Sequence, residues 1–372
     1  AVDEILAERC DGFTDKADLY DFVQHAQPWA SLIDQGETMS VSVALTESVP
    51  EDLRHRRSCI LTVQRAICDS CQRSGFKPQL DLERPDWVIH ATIHGNGARL
   101  ARRWSGRHGL HRRGYRSDIK MHKGALRETL AAGLMLLSGA RPGHCLPHGA
   151  CLIDPMCGSG TLLFEAALLF GNIAPGVLRE ALITSSGDTW HAVPQEAQGT
   201  FIDALSHARS IACDRHSRIS RARKRRNRIL GRDSYPGALA LARRCAKALE
   251  KALPGCTRSI DFELADITTE SRSCQDNTTW LVCNPPWGAR LHRNEENDTW
   301  IELGKFIRQH EGISQAWVLS PVQSLASEFE RHLGVPASST DHLFDGGSRS
   351  FRRQAEVAES SNLQWSRYDL KV

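Results

Sequence analysis

The chain has 372 residues. This is more than one hydrophobic core ordinarily accommodates, so the length predicts two domains. Its 47 lysines and arginines nearly balance its 44 aspartates and glutamates, so the net charge of +3 does not by itself indicate a nucleic-acid partner. The longest apolar run, Leu130 to Leu137, is too short to cross a bilayer, and we expect no membrane span.

The first part of the chain, residues 1–105, mixes helical and strand-like patterns. Its helices are predicted at 16–24 and 58–73, and its strands at 39–45 and 87–93, with a loop at 76–85. This strand, helix, strand order predicts a small α/β domain. The arginine- and glycine-rich run at 104–115 is predicted to join it to the rest of the chain.

Residues 106–372 alternate strands and helices in the manner of a parallel sheet. Their helices are predicted at 123–137, 162–170 and 195–226. Their strands are predicted at 150–153, 228–231, 260–264, 280–283 and 316–319. The fold class is therefore α/β in both parts, with a Rossmann-like sheet in the second.

The twelve cysteines have no framework spacing in this long chain, which favours a reduced, intracellular protein. We expect the cytoplasm, with an organelle as the alternative. The CxxC pair of Cys68 and Cys71 has no second pair at zinc-ribbon distance, so we interpret it as two thiols on a helix and expect no metal. No signal-peptide pattern opens the chain, and Ala1 in place of Met leads us to expect that an upstream piece is missing.

Arginine is concentrated in two blocks without acidic residues, Arg99 to Arg116 and Arg215 to Arg232. Like charges repel one another, so such blocks favour a polyanionic partner, although either block alone could be a solvated charged face. Two blocks in a nearly neutral protein favour nucleic acid. The candidate RNA-binding residues are Arg112, Arg113, Arg116, Arg223, Arg225 and Arg226.

A glycine loop, DPMCGSGT, follows the strand predicted at 150–153. Gly158 and Gly160 let the backbone turn tightly beside a ligand, and the following helix directs its free N–H groups toward that ligand. Leu163 replaces the third glycine of a dinucleotide fingerprint, and the lysine of a P-loop is absent. Because the Asp154 carboxylate suits an ammonium group, S-adenosylmethionine is favoured over a pyrophosphate. The candidate cofactor residues here are Asp154, Pro155, Met156, Cys157, Gly158, Ser159, Gly160 and Thr161.

Two further aspartates complete the predicted cofactor site. Asp233 ends the apolar strand RILGRD and is followed by Pro236 at a helix start, so we choose it over Asp214 to hold the ribose hydroxyls. Asp266 follows the strand IDFEL and is predicted to accept a hydrogen bond from the adenine amino group. Either residue alone is more typical of an ordinary turn.

The string NPPW, comprising Asn284, Pro285, Pro286 and Trp287, follows another predicted strand and is the candidate catalytic motif. Two prolines stiffen the loop and offer no N–H donors. The Asn284 side-chain oxygen and the Pro285 carbonyl could accept both hydrogens of an exocyclic amine and direct its nitrogen at a sulfonium methyl group. Trp287 would stack on the base. The plainer interpretation is a proline turn at a strand end.

Several strings together resemble the bacterial large-subunit ribosomal RNA guanine-N2 methyltransferases. They are LHRRGYR at 110–116, ALRETLAAG at 125–133, DPMCGSGTLLFEAAL at 154–168, APG at 174–176 and NPPWGARL at 284–291. The resemblance implies an RNA-binding THUMP domain at 1–105, incomplete at its N-terminus, ahead of a class I methyltransferase domain at 106–372. It also implies S-adenosylmethionine as donor and guanine N2 as acceptor. Trp287 stands where the family usually has tyrosine.

Three readings of the function follow. The favoured one is a methyltransferase acting on guanine N2 of large-subunit rRNA. The second is a methyltransferase for another amine, in transfer RNA, in adenine or in a protein glutamine, because such enzymes share the Asn-Pro-Pro-aromatic loop. The third is a catalytically inactive relative that retains RNA contact.

Overall fold

A computed structural model of the protein describes residues 3–46, 48–83, 85–104, 112–116, 121, 125–144, 150–178, 195–221, 228–268, 278–286, 293–310, 312–320, 323–344 and 362–370. The chain divides into two compact units. The first comprises residues 1–110 with 183–203, and the second comprises 111–182 with 204–372. The predicted boundary, between 105 and 106, falls outside the described residues, so the domain limits remain a prediction.

The first unit contains a five-stranded sheet. Its strands are β1 (Asp3–Arg9), β2 (Thr38–Leu45), β3 (Gln79–Leu80), β4 (Trp87–His94) and β5 (Gly97–Arg103), in the order β1-β5-β4-β2-β3. Its helices are α1 (Lys16–Ala26), α2 (Trp29–Leu32) and α3 (Arg56–Gln72). The predicted strand, helix, strand order is seen in β2, α3 and β4, because the helix carries the chain back to a parallel neighbour.

The core of the first unit packs the apolar faces of α1 and α3 against this sheet. Cys68 and Cys71 lie on α3 and are buried in that core. Burial raises the pKa of both thiols, that of Cys71 to about 11, so they pack as small apolar groups. Among the described residues, no cluster of three or more histidine, cysteine or acidic side chains is arranged to hold a metal ion.

The second unit contains a seven-stranded sheet in the order β11-β12-β10-β9-β6-β7-β8. The strands are β6 (Cys151–Asp154), β7 (Arg228–Asp233), β8 (Ile260–Leu264), β9 (Thr279–Cys283), β10 (Ile313–Ser320), β11 (Ser339–Phe344) and β12 (Asn362–Asp369). The helices are α4 (Glu128–Leu137), α5 (Thr161–Phe170), α6 (Gln195–Arg221, which begins within residues assigned to the first unit), α7 (Pro236–Ala252), α8 (Arg293–Gln309) and α9 (Gln323–Leu333). None of the helices in the described part of the chain is both long and apolar enough to span a membrane.

The topology of this sheet determines where a ligand can bind. Strands β8, β7, β6, β9 and β10 are parallel, whereas β12 is antiparallel to both β10 and β11. The chain leaves β6 toward β7 on one side and later returns to β9 on the other, so the strand order reverses at β6. In open parallel sheets ligands bind at such a reversal, outside the carboxyl ends of the strands. The loops after β6, β7, β8 and β9 meet at that edge.

The predicted parallel strands agree with the structure to within one or two residues at most ends, although β10 begins three residues earlier than predicted. Strand β3 lies in the predicted loop, and the strands β1, β5, β11 and β12 were not predicted. The helices α2, α8 and α9 were not predicted either. Helix α4 begins at Glu128, later than the predicted residue 123.

Candidate active site

A cavity of about 1010 Å³ opens at the carboxyl ends of β6, β7, β8 and β9. Small-molecule sites measure roughly 300–1,000 Å³, so this cavity is at the large end of that range. It brings together residues that are far apart in the sequence. The predicted site residues in its wall are Asp154, Pro155, Met156, Cys157, Gly158, Ser159, Thr161, Asp233, Asp266, Asn284 and Pro286.

The glycine loop connects β6 to α5 along one wall of the cavity. Gly158 and Gly160 have φ angles of 54° and 79°, in the left-handed region that favours glycine. The Cys157 N–H donates to the Arg232 carbonyl at 2.8 Å, which fastens the loop to β7. Helix α5 then begins at Thr161 without a side-chain cap, so its first N–H groups are available to a ligand.

Asp154 ends β6 and is almost completely buried, with 2% of its surface exposed. Burial raises its pKa to about 8, and the nearby Asp233 charge adds to that rise. The Met156 N–H, which donates to Asp154 Oδ1 at 3.1 Å, opposes the rise only in part. A buried carboxyl group in this state is suited to a cationic partner, which would restore its ionised form.

Asp233 ends β7 and is held by two backbone donors. Its Oδ2 accepts from the Gly158 N–H at 2.8 Å, and its Oδ1 accepts from the Tyr235 N–H at 2.9 Å. The carboxylate is therefore fixed against the glycine loop while each oxygen keeps a second lone pair. The alternative acid, Asp214, lies within α6 and not at a strand end.

Asp266 lies two residues after β8 and is exposed. Its Oδ1 accepts from the Thr268 N–H at 2.9 Å and from the Thr268 hydroxyl at 2.8 Å. These bonds lower the pKa of Asp266, because they favour the charged form. An ionised, oriented acceptor thus lies on the cavity wall after β8.

The NPPW motif follows β9, the strand on the other side of β6. Asn284 and Pro286 line the cavity, and Pro285 is buried. Trp287 lies outside the described residues, so its stacking role remains a prediction. The structure thus brings the start of the motif to the same cavity as the glycine loop.

Some residues of the cavity wall were not predicted from the sequence. Tyr235 follows Asp233 and is 69% exposed on the cavity wall. Helix α8 contributes Asp298, Thr299 and Glu302. The signal for α8 was present in its buried apolar residues, whose spacing is helical: Trp300, Leu303, Phe306 and Ile307.

The structure corrects the assignment of Arg113 and Arg116 to RNA contact. Arg113 is buried and pairs with Glu165 at 3.4 Å, and the Arg116 side chain is only 10% exposed beside Glu128. Their acidic partners lie further along the chain, so a count of local charge does not reveal them. Arg112 is exposed, and Arg223, Arg225 and Arg226 lie outside the described residues.

The residues that form this cavity fall within a region that matches a known protein family. The family model described as "RMKL-like, methyltransferase domain" matches residues 113–319, which contain the glycine loop with Asp154, the later aspartates Asp233 and Asp266, and the NPPW motif. This chain belongs to that family. The RMKL-like match begins within the LHRRGYR string and ends in β10.

Two relatives with curated names extend the RMKL-like match. "Ribosomal RNA large subunit methyltransferase K/L" of Syntrophotalea carbinolica is 30% identical over 342 residues, which are 90% of this chain and 43% of the relative. The chain thus spans less than half of that relative's length. "Putative RNA methyltransferase slr0064" of Synechocystis is 30% identical over 338 residues, 89% of this chain and 76% of the relative.

A solved structure shares the fold of this RMKL-like chain. The structure titled "SMU.472, a putative methyltransferase complexed with SAH" superposes with a TM-score of 0.69 at 20% identity. The match covers 100% of this chain and 85% of that one. At this identity the likeness establishes a class I methyltransferase fold.

Proposed function

We propose that this protein transfers a methyl group from S-adenosylmethionine to the exocyclic N2 amine of a guanine in RNA, with large-subunit rRNA as the substrate. One observation carries the proposal. A single cavity joins Asn284 and Pro286, after β9, to the glycine loop after β6 and to Asp233 and Asp266. Donor and acceptor groups can therefore meet in one cavity, at the edge of the sheet where such ligands bind.

The chemistry of the cavity wall suits the proposed donor. The buried Asp154, with its pKa of about 8, would pair with the ammonium group of the methionine moiety. Asp233, fixed by two backbone N–H groups, would accept hydrogen bonds from the ribose hydroxyls. Asp266, oriented by Thr268, would accept one from the adenine amino group. S-adenosylmethionine supplies an activated methyl group when bound.

The acceptor base would be bound and oriented by Asn284, Pro285 and Trp287. An exocyclic amine is a weak nucleophile because its lone pair is delocalised into the ring. Hydrogen bonds from its two hydrogens to the Asn284 oxygen and the Pro285 carbonyl would favour the pyramidal form of the nitrogen, in which the lone pair is free to attack the methyl group. Because the sulfonium is already activated, orientation supplies most of the acceleration, and the reaction demands neither a metal nor a strong general base.

RNA is the proposed substrate for two reasons. The names of the relatives state RNA for those proteins, and this chain has exposed arginines. Arg112 is exposed, as are Arg54, Arg56 and Arg57 at the start of α3. These side chains, with Arg223, Arg225 and Arg226, would contact phosphates. We assign residues 1–105 as a THUMP-like RNA-binding domain and 106–372 as the methyltransferase domain. Free cysteines and an RNA substrate fit a reducing, cytoplasmic setting.

The test is to incubate the protein with labelled S-adenosylmethionine and unmodified large-subunit rRNA, digest the RNA and identify the labelled nucleoside. We expect N2-methylguanosine. Asn284→Ala should lower turnover by about a hundredfold or more, because it removes a group that acts in the transition state. The same variant should bind S-adenosylhomocysteine as the unmodified protein does, which controls for misfolding.

Other outcomes would separate the alternatives. N6-methyladenosine in the digest would contradict the guanine assignment. RNA binding without any methylation, together with no affinity for S-adenosylhomocysteine, would indicate an inactive RNA-binding relative. Label in transfer RNA in place of ribosomal RNA would keep the chemistry and change the substrate.

A further inference from the structure

The Arg116 guanidinium group lies among three segments that form the cavity wall. Its Nη1 donates to the Leu126 carbonyl at 2.7 Å, just before α4. Its Nη2 donates to the Thr161 hydroxyl in the first turn of α5, and lies 3.5 Å from the Ser159 hydroxyl in the glycine loop. Leu126, Ser159 and Thr161 all line the cavity. One side chain therefore links three parts of the wall.

Arg116 makes these contacts in a buried setting. Its side chain is 10% exposed and that of Glu128, whose Oε2 lies 3.7 Å from Nη1, is 7% exposed. The Nε atom of Arg116 is buried and has no hydrogen-bond partner among the described residues. Burying a guanidinium with an unsatisfied donor costs free energy, and such groups in native structures call for an explanation.

The proposed donor would place its carboxylate against the part of the cavity wall that Arg116 contacts. The ammonium and carboxylate of a methionine moiety share one carbon, so an ammonium at Asp154 puts the carboxylate close to the glycine loop. That loop ends at the uncapped start of α5, where free N–H groups and the helix dipole favour an anion. The Ser159 and Thr161 hydroxyls lie at this same end.

We propose that Arg116 is a positioning residue for the carboxylate end of the donor. It holds the Ser159 and Thr161 hydroxyls in place and adds positive charge behind the first turn of α5. This inference rests on the proposed function, because it assumes a donor with an amino-acid end. Arg116 acts through the wall residues that it holds, and so differs from Asp154, which would touch the donor directly.

The same segment provides a matched control. Arg113, three residues earlier, is also buried, and its Nη2 lies 3.4 Å from Glu165 Oε2. The Tyr115 hydroxyl donates to Glu165 Oε1 at 3.2 Å. Among the described residues, neither Arg113 nor Arg116 lines the cavity itself, but Arg116 contacts three residues that do. Arg113 thus pairs with Glu165, a buried residue that does not line the cavity, whereas Arg116 contacts residues of the wall.

The experiment compares two ligands that differ only at the proposed end. S-adenosylhomocysteine has the amino-acid group, and 5′-methylthioadenosine lacks it. Their dissociation constants are measured by calorimetry with the full chain and with Arg116→Gln and Arg113→Gln. We expect Arg116→Gln to weaken S-adenosylhomocysteine binding by about tenfold or more while leaving 5′-methylthioadenosine unchanged. Arg113→Gln should lower the melting temperature and leave both affinities unchanged.

Arg116→Lys gives a second measurement if Arg116→Gln does not fold. Lysine keeps the charge but loses the planar fork that reaches several acceptors, so an intermediate loss for S-adenosylhomocysteine alone is expected. Equal weakening of both ligands by a folded Arg116 variant would overturn the inference and show a general structural role. Unchanged S-adenosylhomocysteine affinity would also overturn it. If the unmodified protein bound neither ligand, the proposed function itself would fail first, and this inference with it.

Discussion

Two aspartates of the same cavity, Asp154 after β6 and Asp266 after β8, have opposite environments. Asp154 is buried, and its pKa is raised to about 8 mainly by that burial. Asp266 is exposed, and hydrogen bonds from Thr268 lower its pKa. Although both are aspartates at the ends of parallel strands, the protonated form is favoured at Asp154 and the ionised form at Asp266.

The difference indicates what each aspartate can hold. A buried carboxyl group gains most from a cation, because the pairing replaces the lost hydration of its charged form. An exposed carboxylate is already solvated and is screened, so a hydrogen bond to it contributes little net free energy. Asp154 should therefore dominate the affinity for a charged ligand end, and Asp266 should orient a neutral one.

The largest expected effect is that of Asp154→Asn. The variant should weaken S-adenosylhomocysteine binding by about a hundredfold, measured by calorimetry, because it removes one partner of a buried charge pair. Its melting temperature without ligand at pH 8 should not fall, since asparagine fills the same space and cannot ionise. If the affinity fell by only a few-fold, Asp154 would contribute no more to binding than is expected of Asp266.

The pH dependence of binding tests the same contrast with the natural side chain. Below its pKa of about 8, unliganded Asp154 is mostly protonated and must lose its proton to pair with an ammonium. The affinity for S-adenosylhomocysteine should therefore rise by about tenfold per pH unit up to about pH 8 and then level off. In Asp154→Asn this rise should disappear. If the affinity of the variant still rose with pH, the proton that is lost on binding would belong to another group.

The same shift affects the stability of the unliganded protein. Because the folded pKa of about 8 exceeds the ordinary value of 3.8, folding is favoured by the protonated form. The contribution of Asp154 is fully present below the ordinary value and is lost as the pH rises toward about 8.

The smallest expected effect is that of Asp266→Asn. It should weaken S-adenosylhomocysteine binding by about three- to tenfold, because one hydrogen bond to an exposed carboxylate is changed and the amide oxygen can still accept. The pH dependence of binding should be retained, which distinguishes this variant from Asp154→Asn in the same titration. A loss as large as that of Asp154→Asn would show that the environment does not set the contribution of each aspartate.

The site at this edge of the sheet was largely predictable from the sequence. Buried parallel strands give short apolar runs, so β6, β7 and β9 could be recognised. Strand β8 is a half-exposed edge strand whose residues alternate between apolar and acidic, and the polar residues that follow all four strands must meet at one edge. Asp154, Asp233, Asp266 and Asn284 were predicted on that basis and line one cavity. Their individual roles remain predictions.

The environment of each residue was not predictable in this way. The pKa values of Asp154 and Asp266 depend on burial and on local hydrogen bonds, which strand-end spacing does not encode. The arginine block shows the same limit more strongly. Arg99 pairs with Glu8 at 2.6 Å, and Arg102 lies 3.6 Å over the Trp87 ring, although neither partner lies within the block. Counting charge along the chain therefore overstated the positive surface.

The strands β11 and β12 were missed for another reason. Their sequences, STDHLF and NLQWSRYD, have no continuous apolar run, and they pair across a long stretch of intervening chain. Such pairing depends on neighbours supplied by the rest of the fold.

The position of β12 has a consequence for how the chain is made. It lies between β10 and β11, and the Trp365 indole N–H in its middle donates to the Ser138 hydroxyl at the end of α4, 227 residues earlier. During synthesis β10 therefore keeps an open edge, and β11 has no sheet to join, until residue 369 has left the ribosome. The sheet of the second unit therefore cannot be completed until this strand has been synthesised.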